Sequence, residues 1–538
     1  MTRRARFAIS FAVLAVLFVV SLPAWSAPLD GSASASSDAR TKGDEYARVL
    51  GYRPLHPELY EQQKAEAAQA AAAQTRLPRP GRRATGTAPT FGPSWAGVSE
   101  SDVAPPDTYG AIGPSSYVEI INIRMGIYTR TGTKIVAADL ATLTGQPHGN
   151  LSDPQVIWDP NTNRFYYEVW ETAGNTIMWG FSKSANPTSI PGSFCNYRAN
   201  FGYGATDPDY PKLGQTTDFL LLGVNHFDGG YVGSDILWIQ KPQGSATVTT
   251  CPAQSSFQLG RKANVQNADG SLARTPVPVI QTDPSTTGWV VADADLQTTP
   301  GQAADFLTLF TITKNLDGTA NIPQVGQAIS VPTYKMPPNA PQKGSRFVLD
   351  TSDGRLRHAV AGVDPAQGGA MAIWTSHSVF GGAGSQERWY EIDAATGAVL
   401  QQGVATSATL FVFNGGISPD RRFDGVSGQF GSAMVLGFST SGVDANPAIQ
   451  MVSKIGANPQ SAFVKVKQSP GADQGFDCFA GITGRNECRW GDYSGASADP
   501  ASSTTGATGA VWLTNEWVTG ERKLNSATWR TQNWRAIP

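Results

Sequence analysis

Apolar residues run through this chain in short bursts of β-branched and aromatic side chains, each closed off by Asp, Asn, Pro, Gly or Thr. That pattern predicts strands joined by turns rather than helices. The stretch Asp153-Pro-Gln-Val-Ile-Trp-Asp-Pro-Asn-Thr-Asn-Arg-Phe-Tyr-Tyr-Glu-Val-Trp170 is the clearest case. Val156, Ile157 and Trp158 read as a strand, Asp159 to Asn163 supply turn chemistry, and Phe165 to Trp170 read as a second strand. The same aspartate-led opening recurs at Asp107-Thr-Tyr-Gly, Asp209-Tyr-Pro-Lys, Asp353-Gly-Arg-Leu and Asp492-Tyr-Ser-Gly, and weaker versions start at Thr275 and Phe413. The series amounts to seven units of about 60 residues, longer than the usual blade-type repeat of about 40–50.

A unit of short strands that cannot bury both faces alone must stack on its neighbours, and radial stacking gives a β-propeller. The expected fold is therefore all-β: a single propeller over residues 90–538 with seven four-stranded blades. One large sandwich is the competing architecture. Arg388 to Leu400, with Asp393 and Gly397 at its turn, reads as an outer hairpin of a blade, and Ser526 to Trp534 as a terminal strand. Pairing of the first and last strands within one blade would close the ring and remove a free edge.

The first 89 residues break this pattern. Residues 1–26 have Arg3, Arg4 and Arg6 before an apolar run and small residues near Ser26, the layout of a secretory signal cleaved close to that residue. Residues 27–89 read as a low-complexity spacer or pro-region. Within it, 57–74 is an Ala-, Glu- and Gln-rich helix former without a broad apolar stripe, and Gly81-Arg-Arg-Ala84 is a protease-sensitive point. A secreted address also suits the four cysteines, expected as Cys195–Cys251 and Cys478–Cys488 because each pair closes a loop within one repeat or its neighbour. No further apolar stretch is long enough to span a bilayer.

Formal net charge is −2, from 41 Lys and Arg against 43 Asp and Glu, which gives no reason to expect a nucleic acid as partner. Gly-x-Ser-x-Gly is absent and the five histidines form no H-x-x-x-H pair, so serine-hydrolase and zinc chemistry are poorly supported. The aspartates carry more. Strand openings in a propeller converge on one end of its axis, so Asp107, Asp153, Asp209, Asp353 and Asp492 are candidates for one funnel. There one of them would titrate high or a hard cation such as Ca²⁺ would sit among them. At any single position an Asx turn explains the residue equally.

Asp492, Asp209 and Asp153 are the candidate catalytic acids, since two carboxyls in different protonation states suffice for glycoside hydrolysis. Asp107, Asp353, Tyr210, Tyr493, Arg357, His226 and His377 are the candidate substrate contacts: aromatic faces for sugar rings, arginines such as Arg346, Arg355 and Arg357 for acidic groups, and a histidine or Tyr493 as base for a lyase. The expected function is that of a secreted, monomeric, carbohydrate-active protein acting on extracellular polysaccharide, a glycoside hydrolase ahead of a polysaccharide lyase. A non-catalytic glycan- or protein-binding propeller is the alternative.

Three motifs, Asp107-Thr-Tyr-Gly-Ala-Ile-Gly-Pro, Ser152-Asp-Pro-Gln-Val-Ile-Trp-Asp-Pro and Arg489-Trp-Gly-Asp-Tyr-Ser, resemble a group of secreted bacterial propellers described as sialidase-like or BNR-repeat-like. The resemblance runs from about Pro105 to Trp534 and implies the fold. The nearest approach to the sialidase Asp box, Thr351-Ser-Asp-Gly354, lacks the later Gly and Trp of that motif, and the sialidase arginine triad does not map residue by residue.

Overall fold

The computed structural model describes residues 48–50, 53–74, 86–423, 430–479, 486–502 and 508–538. The expected signal sequence and Gly81-Arg-Arg-Ala84 lie outside them. From Tyr109 onward each unit folds as an antiparallel meander whose main strands pair in chain order, through tight turns in some places and longer connections such as 241–258 in others. The result is a ring of seven four-stranded blades, over 109–139, 151–199, 207–262, 274–335, 356–405, 411–468 and 495–537. The innermost strand of each packs on that of the next, and the last packs on the first.

Blade 7 takes its outermost strand from the other end of the sequence. Thr90–Ala96 pairs antiparallel with Trp529–Ile537, from Thr90 opposite Ile537 to Ala96 opposite Gln532. This is the expected closure by first and last strands. The Arg388–Leu400 hairpin likewise forms between Gly384–Asp393 and Val399–Ala405, the outer strands of blade 5. Disulfides join Cys195 to Cys251 and Cys478 to Cys488, as expected.

The shared opening has a backbone cause. Inner strands of blades 2, 3, 4 and 6 carry a β-bulge near their start, and Asp153 (φ 55°), Tyr210 (φ 58°), Thr275 (φ 47°) and Asn414 (φ 56°) sit within it in the left-handed region. Asp107 (φ 47°) and Ser352 (φ 62°) take the same conformation just before the inner strands of blades 1 and 5. A bulge bends its strand and re-aims one side chain. Short polar side chains tolerate positive φ best, which is why Asp and Asn recur here.

The segment ahead of the ring is no free spacer over 53–74. Its helix α1, Pro57–Gln74, packs on the propeller despite lacking an apolar stripe. Tyr60, Ala67 and Ala71 are buried, and Tyr60 joins the apolar cluster of blades 4 and 5. The rest of the contact is polar: Gln63 donates to the carbonyls of Leu296 and Thr299, and buried Lys64 donates to Thr351 Oγ1 (3.0 Å) and Ser352 O. Small alanines allow close approach, and these bonds replace the water that the two polar side chains give up. No helix among the described residues is long and apolar enough to cross a membrane.

Candidate functional site

Where the inner strands begin, the ring opens into a cavity of about 430 Å³. Five aspartates, Asp107, Asp153, Asp207, Asp209 and Asp492, and three arginines, Arg53, Arg355 and Arg489, line it together with Leu50, Ser152, Trp170, Thr172 and Tyr210. The three acids expected to be catalytic are thus brought together, although blades 2, 3 and 7 supply them from far apart in sequence.

Asn122 organises one side. Its amide donates to Asp107 Oδ2 (2.7 Å), and its Oδ1 accepts from the Asp153 N–H (2.9 Å). Asp107 Oδ1 in turn accepts from the Asp492 N–H (2.7 Å). Asp153 also accepts from the Tyr493 hydroxyl (3.0 Å) and from Ser152 Oγ. Asp209, half-buried, accepts from the Tyr210 N–H (2.9 Å). Arg489 bridges Asp492 Oδ2 (2.5 Å) and Asp350 Oδ2 (2.6 Å), both buried. Beneath the floor, Lys212 Nζ is wedged 3.5 Å from the Tyr210 ring centroid and 3.1 Å from that of Tyr493, a cation–π sandwich.

These surroundings separate the acids. Burial pushes Asp107 up to about 8, with repulsion from Asp492 and Asp153 adding to it. Burial also lifts Asp209 to about 7, helped by Asp153 and opposed by Arg53 and Arg355. Asp153 rises as well, chiefly through burial. In Asp492 burial works upward too, but Arg489, Arg357 and Arg355 together overcome it and hold the carboxyl below the ordinary aspartate range. One cavity therefore holds carboxyls that stay protonated near neutral pH beside one that stays ionised.

Six of the sequence-expected contacts do not line the cavity. Asp353 is fully buried in the ring wall, paired with Arg355 Nε (2.8 Å) and Arg274 Nη1 (3.3 Å) and accepting from Gln297 Nε2 (2.8 Å). In its blade Ser352 takes the left-handed position, so the acid one residue later turns away from the axis. Arg357 lies below the floor, donating to Asn414 Oδ1 (2.8 Å) and Gly491 O (2.7 Å). Tyr493 lies under the acids it bonds, its hydroxyl also 2.9 Å from Pro211 O. His226 lies opposite Pro208 at the cavity end of blade 3 but is engaged by Asp235 of the neighbouring outer strand (3.2 Å). His377 is sealed between Gly354 O (2.9 Å) and the Tyr390 hydroxyl (3.1 Å), and burial lowers it to about 3, so it is a poor base near neutrality. Arg346 lies over Phe347, away from the funnel.

Sequence reasoning missed Arg53, Asp207 and Trp170 on the cavity wall and Asn122 behind it. Asn122 ends the strand that follows the Asp107 opening, the one signal available for it. As for a hard cation, the group of acids and cysteines drawn within 4.8 Å of one another among the described residues is Asp473, Asp477, Cys478 and Cys488, whose two sulfurs are already joined to each other.

Neither a family model nor a curated protein matches the chain. Among solved structures it is similar to the hemagglutinin-neuraminidase of parainfluenza virus 5, at 8% identity over 71% of this chain and 94% of that one, with a TM-score of 0.34. It is also similar to a Synechocystis apocarotenoid oxygenase (13%, 67% and 71%, TM-score 0.36) and to Kuenenia stuttgartiensis hydrazine synthase (11%, 68% and 74%, TM-score 0.29). At that distance no chemistry transfers from them.

The raised acids also bear on stability. Asp107, Asp209, Asp293, Glu387, Glu391 and Glu487 sit at about 8, 7, 7, 7, 8 and 7, in each case first through burial. An unfolded chain releases such protons near pH 4, so between about pH 6.5 and 8 the folded state binds more protons and loses stability as pH rises. His358 and His377, lowered to about 3, oppose this only below the ordinary histidine range. Lys64 and Lys212, lowered by burial, oppose it in smaller number. The urea midpoint is expected to be higher at pH 6.5 than at pH 8.5, and a midpoint that climbs across this interval contradicts the protonation pattern.

Proposed function

We propose that the protein is a secreted glycoside hydrolase whose funnel cleaves a glycosidic bond in an extracellular polysaccharide, with Asp209 as general acid and Asp492 as the ionised partner. What supports this is the pairing, within one cavity, of a carboxyl lifted to about 7 with a carboxylate that three arginines keep charged. Glycosidic cleavage needs a proton donor for the leaving oxygen and a carboxylate for the anomeric carbon or its attacking water. Asp209 fits the donor role because it lines the cavity and is less buried than Asp107, both of whose oxygens already accept from N–H groups. Asp153 and Asp107 position the pair: Asp107 fixes the backbone of Asp492, and the Asp153 charge raises Asp209. Trp170 on the cavity wall offers the aromatic surface against which a sugar ring stacks, since the Tyr210 ring already carries Lys212 (3.5 Å) and Arg355 (4.5 Å). Two disulfides agree with the secreted address.

The proposal is tested by incubating the purified chain with a panel of neutral, acidic and amino polysaccharides and measuring new reducing ends. Cleavage of at least one class, lost in Asp209→Asn, supports it. Affinity without product makes the propeller a binding module, and unsaturated ends make it a lyase.

A pH profile tests the roles separately. Asp209 must be protonated to donate, so kcat/KM is expected to fall as pH rises through about 7. The ionised state of Asp492 is lost only below the ordinary aspartate range, which leaves a mildly acidic optimum. A profile flat to pH 9 contradicts Asp209 as the acid.

A further inference from the structure

Of the three arginines on the cavity wall, Arg53 alone comes from the segment ahead of the ring. The segment that carries it is fastened on both sides. On one, the Leu50 N–H donates to Ala104 O (2.7 Å) and Leu50 O accepts from Arg489 Nε (3.0 Å). On the other, the His56 N–H donates to Gln297 Oε1 (3.1 Å), and helix α1 follows. Between these anchors the Arg53 guanidinium reaches into the funnel. It donates to Asp207, and its Cζ lies 6.0 Å from the Trp170 ring centroid. Asp209 and Asp153 add to the negative field around it.

Arg355 and Arg489 stand differently. They are buried and committed to Asp353, Asp350 and Asp492 in the wall. The Arg53 side chain is 44% exposed, and among the described residues it is the ion-pair partner of Asp207. It can swing out while its backbone stays fastened, leaving two carboxyl groups beside an indole face. That combination suits an ammonium or guanidinium group. An acidic sugar would meet five aspartates there, and the two ring arginines able to bind it are already taken.

We infer that Asp207, Asp209 and Trp170 form a cation subsite, that Arg53 fills it in the free protein, and that the glycan which displaces Arg53 carries ammonium groups, as unacetylated amino sugars do. This rests on the hydrolase reading of the same cavity.

The test is calorimetric titration of the full chain with a glucosamine tetramer and with its fully N-acetylated counterpart, in an Asp492→Asn background so that nothing is cleaved. Adding Arg53→Ala is expected to tighten binding of the glucosamine tetramer about three- to fivefold, the scale of a competing partly exposed ion pair. The acetylated tetramer is expected to bind unchanged, and Asp207→Asn is expected to cancel the gain. Equal changes for both tetramers, or no change for either, overturn the subsite. Turnover separates the two readings. If the chain without substitutions cleaves neither tetramer but Arg53→Ala tightens only the charged one, the subsite stands and hydrolysis falls. If the acetylated tetramer is cleaved and Arg53→Ala is indifferent to charge, the subsite falls alone.

Discussion

Asp492→Asn is expected to lower turnover about 10³-fold, within the range for loss of an acid–base or nucleophilic group, while the thermal midpoint moves by only a few degrees. The substitution keeps the side chain's volume and removes its charge. Arg489 keeps Asp350 at 2.6 Å, so no guanidinium is stranded, and the Asp107 carboxyl still receives the N–H of residue 492 at 2.7 Å. What disappears is the one carboxylate of the funnel held ionised below the ordinary range. The informative comparison is Asp353→Asn, which lies outside the cavity and reaches it through Arg355, and which weakens the buried pairs to Arg355 and Arg274. That variant is expected to lose stability and to keep its turnover per folded molecule. Initial rates and thermal midpoints of both variants decide. A fully active Asp492→Asn, or an Asp353→Asn that is stable and inactive, contradicts the assignment.

Arg274→Met is expected to be the most destabilising single change considered, at about 3–5 kcal/mol, the usual cost of stranding a buried ion. Arg274 and Asp293 are fully buried, joined at 2.6 Å, and Arg274 also faces Asp353 at 3.3 Å. Asp293 already sits at about 7 through burial, with Arg274 as the main influence keeping it from going higher. Without the guanidinium, Asp293 keeps one strong bond, from the Leu356 N–H (2.7 Å), while Asp353 still has Arg355 and Gln297. The damage should therefore centre on Asp293, and adding Asp293→Asn to Arg274→Met should recover part of it. Urea midpoints of the two variants measure this. A loss of under about 0.5 kcal/mol, the level of an ordinary surface change, contradicts the role given to the pair.

The ring was legible in the sequence because its blades begin with a physical requirement that the residue types betray. The chain needs positive φ at or just before the start of an inner strand, and Asp107, Asp153 and Asn414 answer it with the short polar side chains that tolerate it. Even Thr275 and Phe413, the weakest openings, mark real inner strands. Which aspartate faces the funnel was not legible. Asp353 and Asp209 open with similar grammar, but a left-handed residue falls one place before the first and one place after the second, and an offset of that size changes where a side chain points.

The histidines failed for a related reason. Sequence places His226 and His377 near strand ends, and both lie at the cavity end of their blades, opposite Pro208 and Leu356, but it does not tell that Asp235 engages the first and Tyr390 seals the second. Trp170 was visible only as a strand residue and Asp207 not at all, while Arg53 was missed because it comes from a segment read as a low-complexity spacer. That reading looked for an apolar stripe, whereas the segment is held mainly by hydrogen bonds from Gln63 and Lys64.

The measurement that tests the central claim most directly is a crystal structure of the Asp492→Asn variant with an oligosaccharide drawn from the polysaccharide it is found to bind. The account predicts a sugar ring against Trp170 and a glycosidic oxygen within about 3 Å of the Asp209 carboxyl, the reach of a proton donor. An oligosaccharide bound on the outer faces of the blades, with the funnel empty, would contradict it.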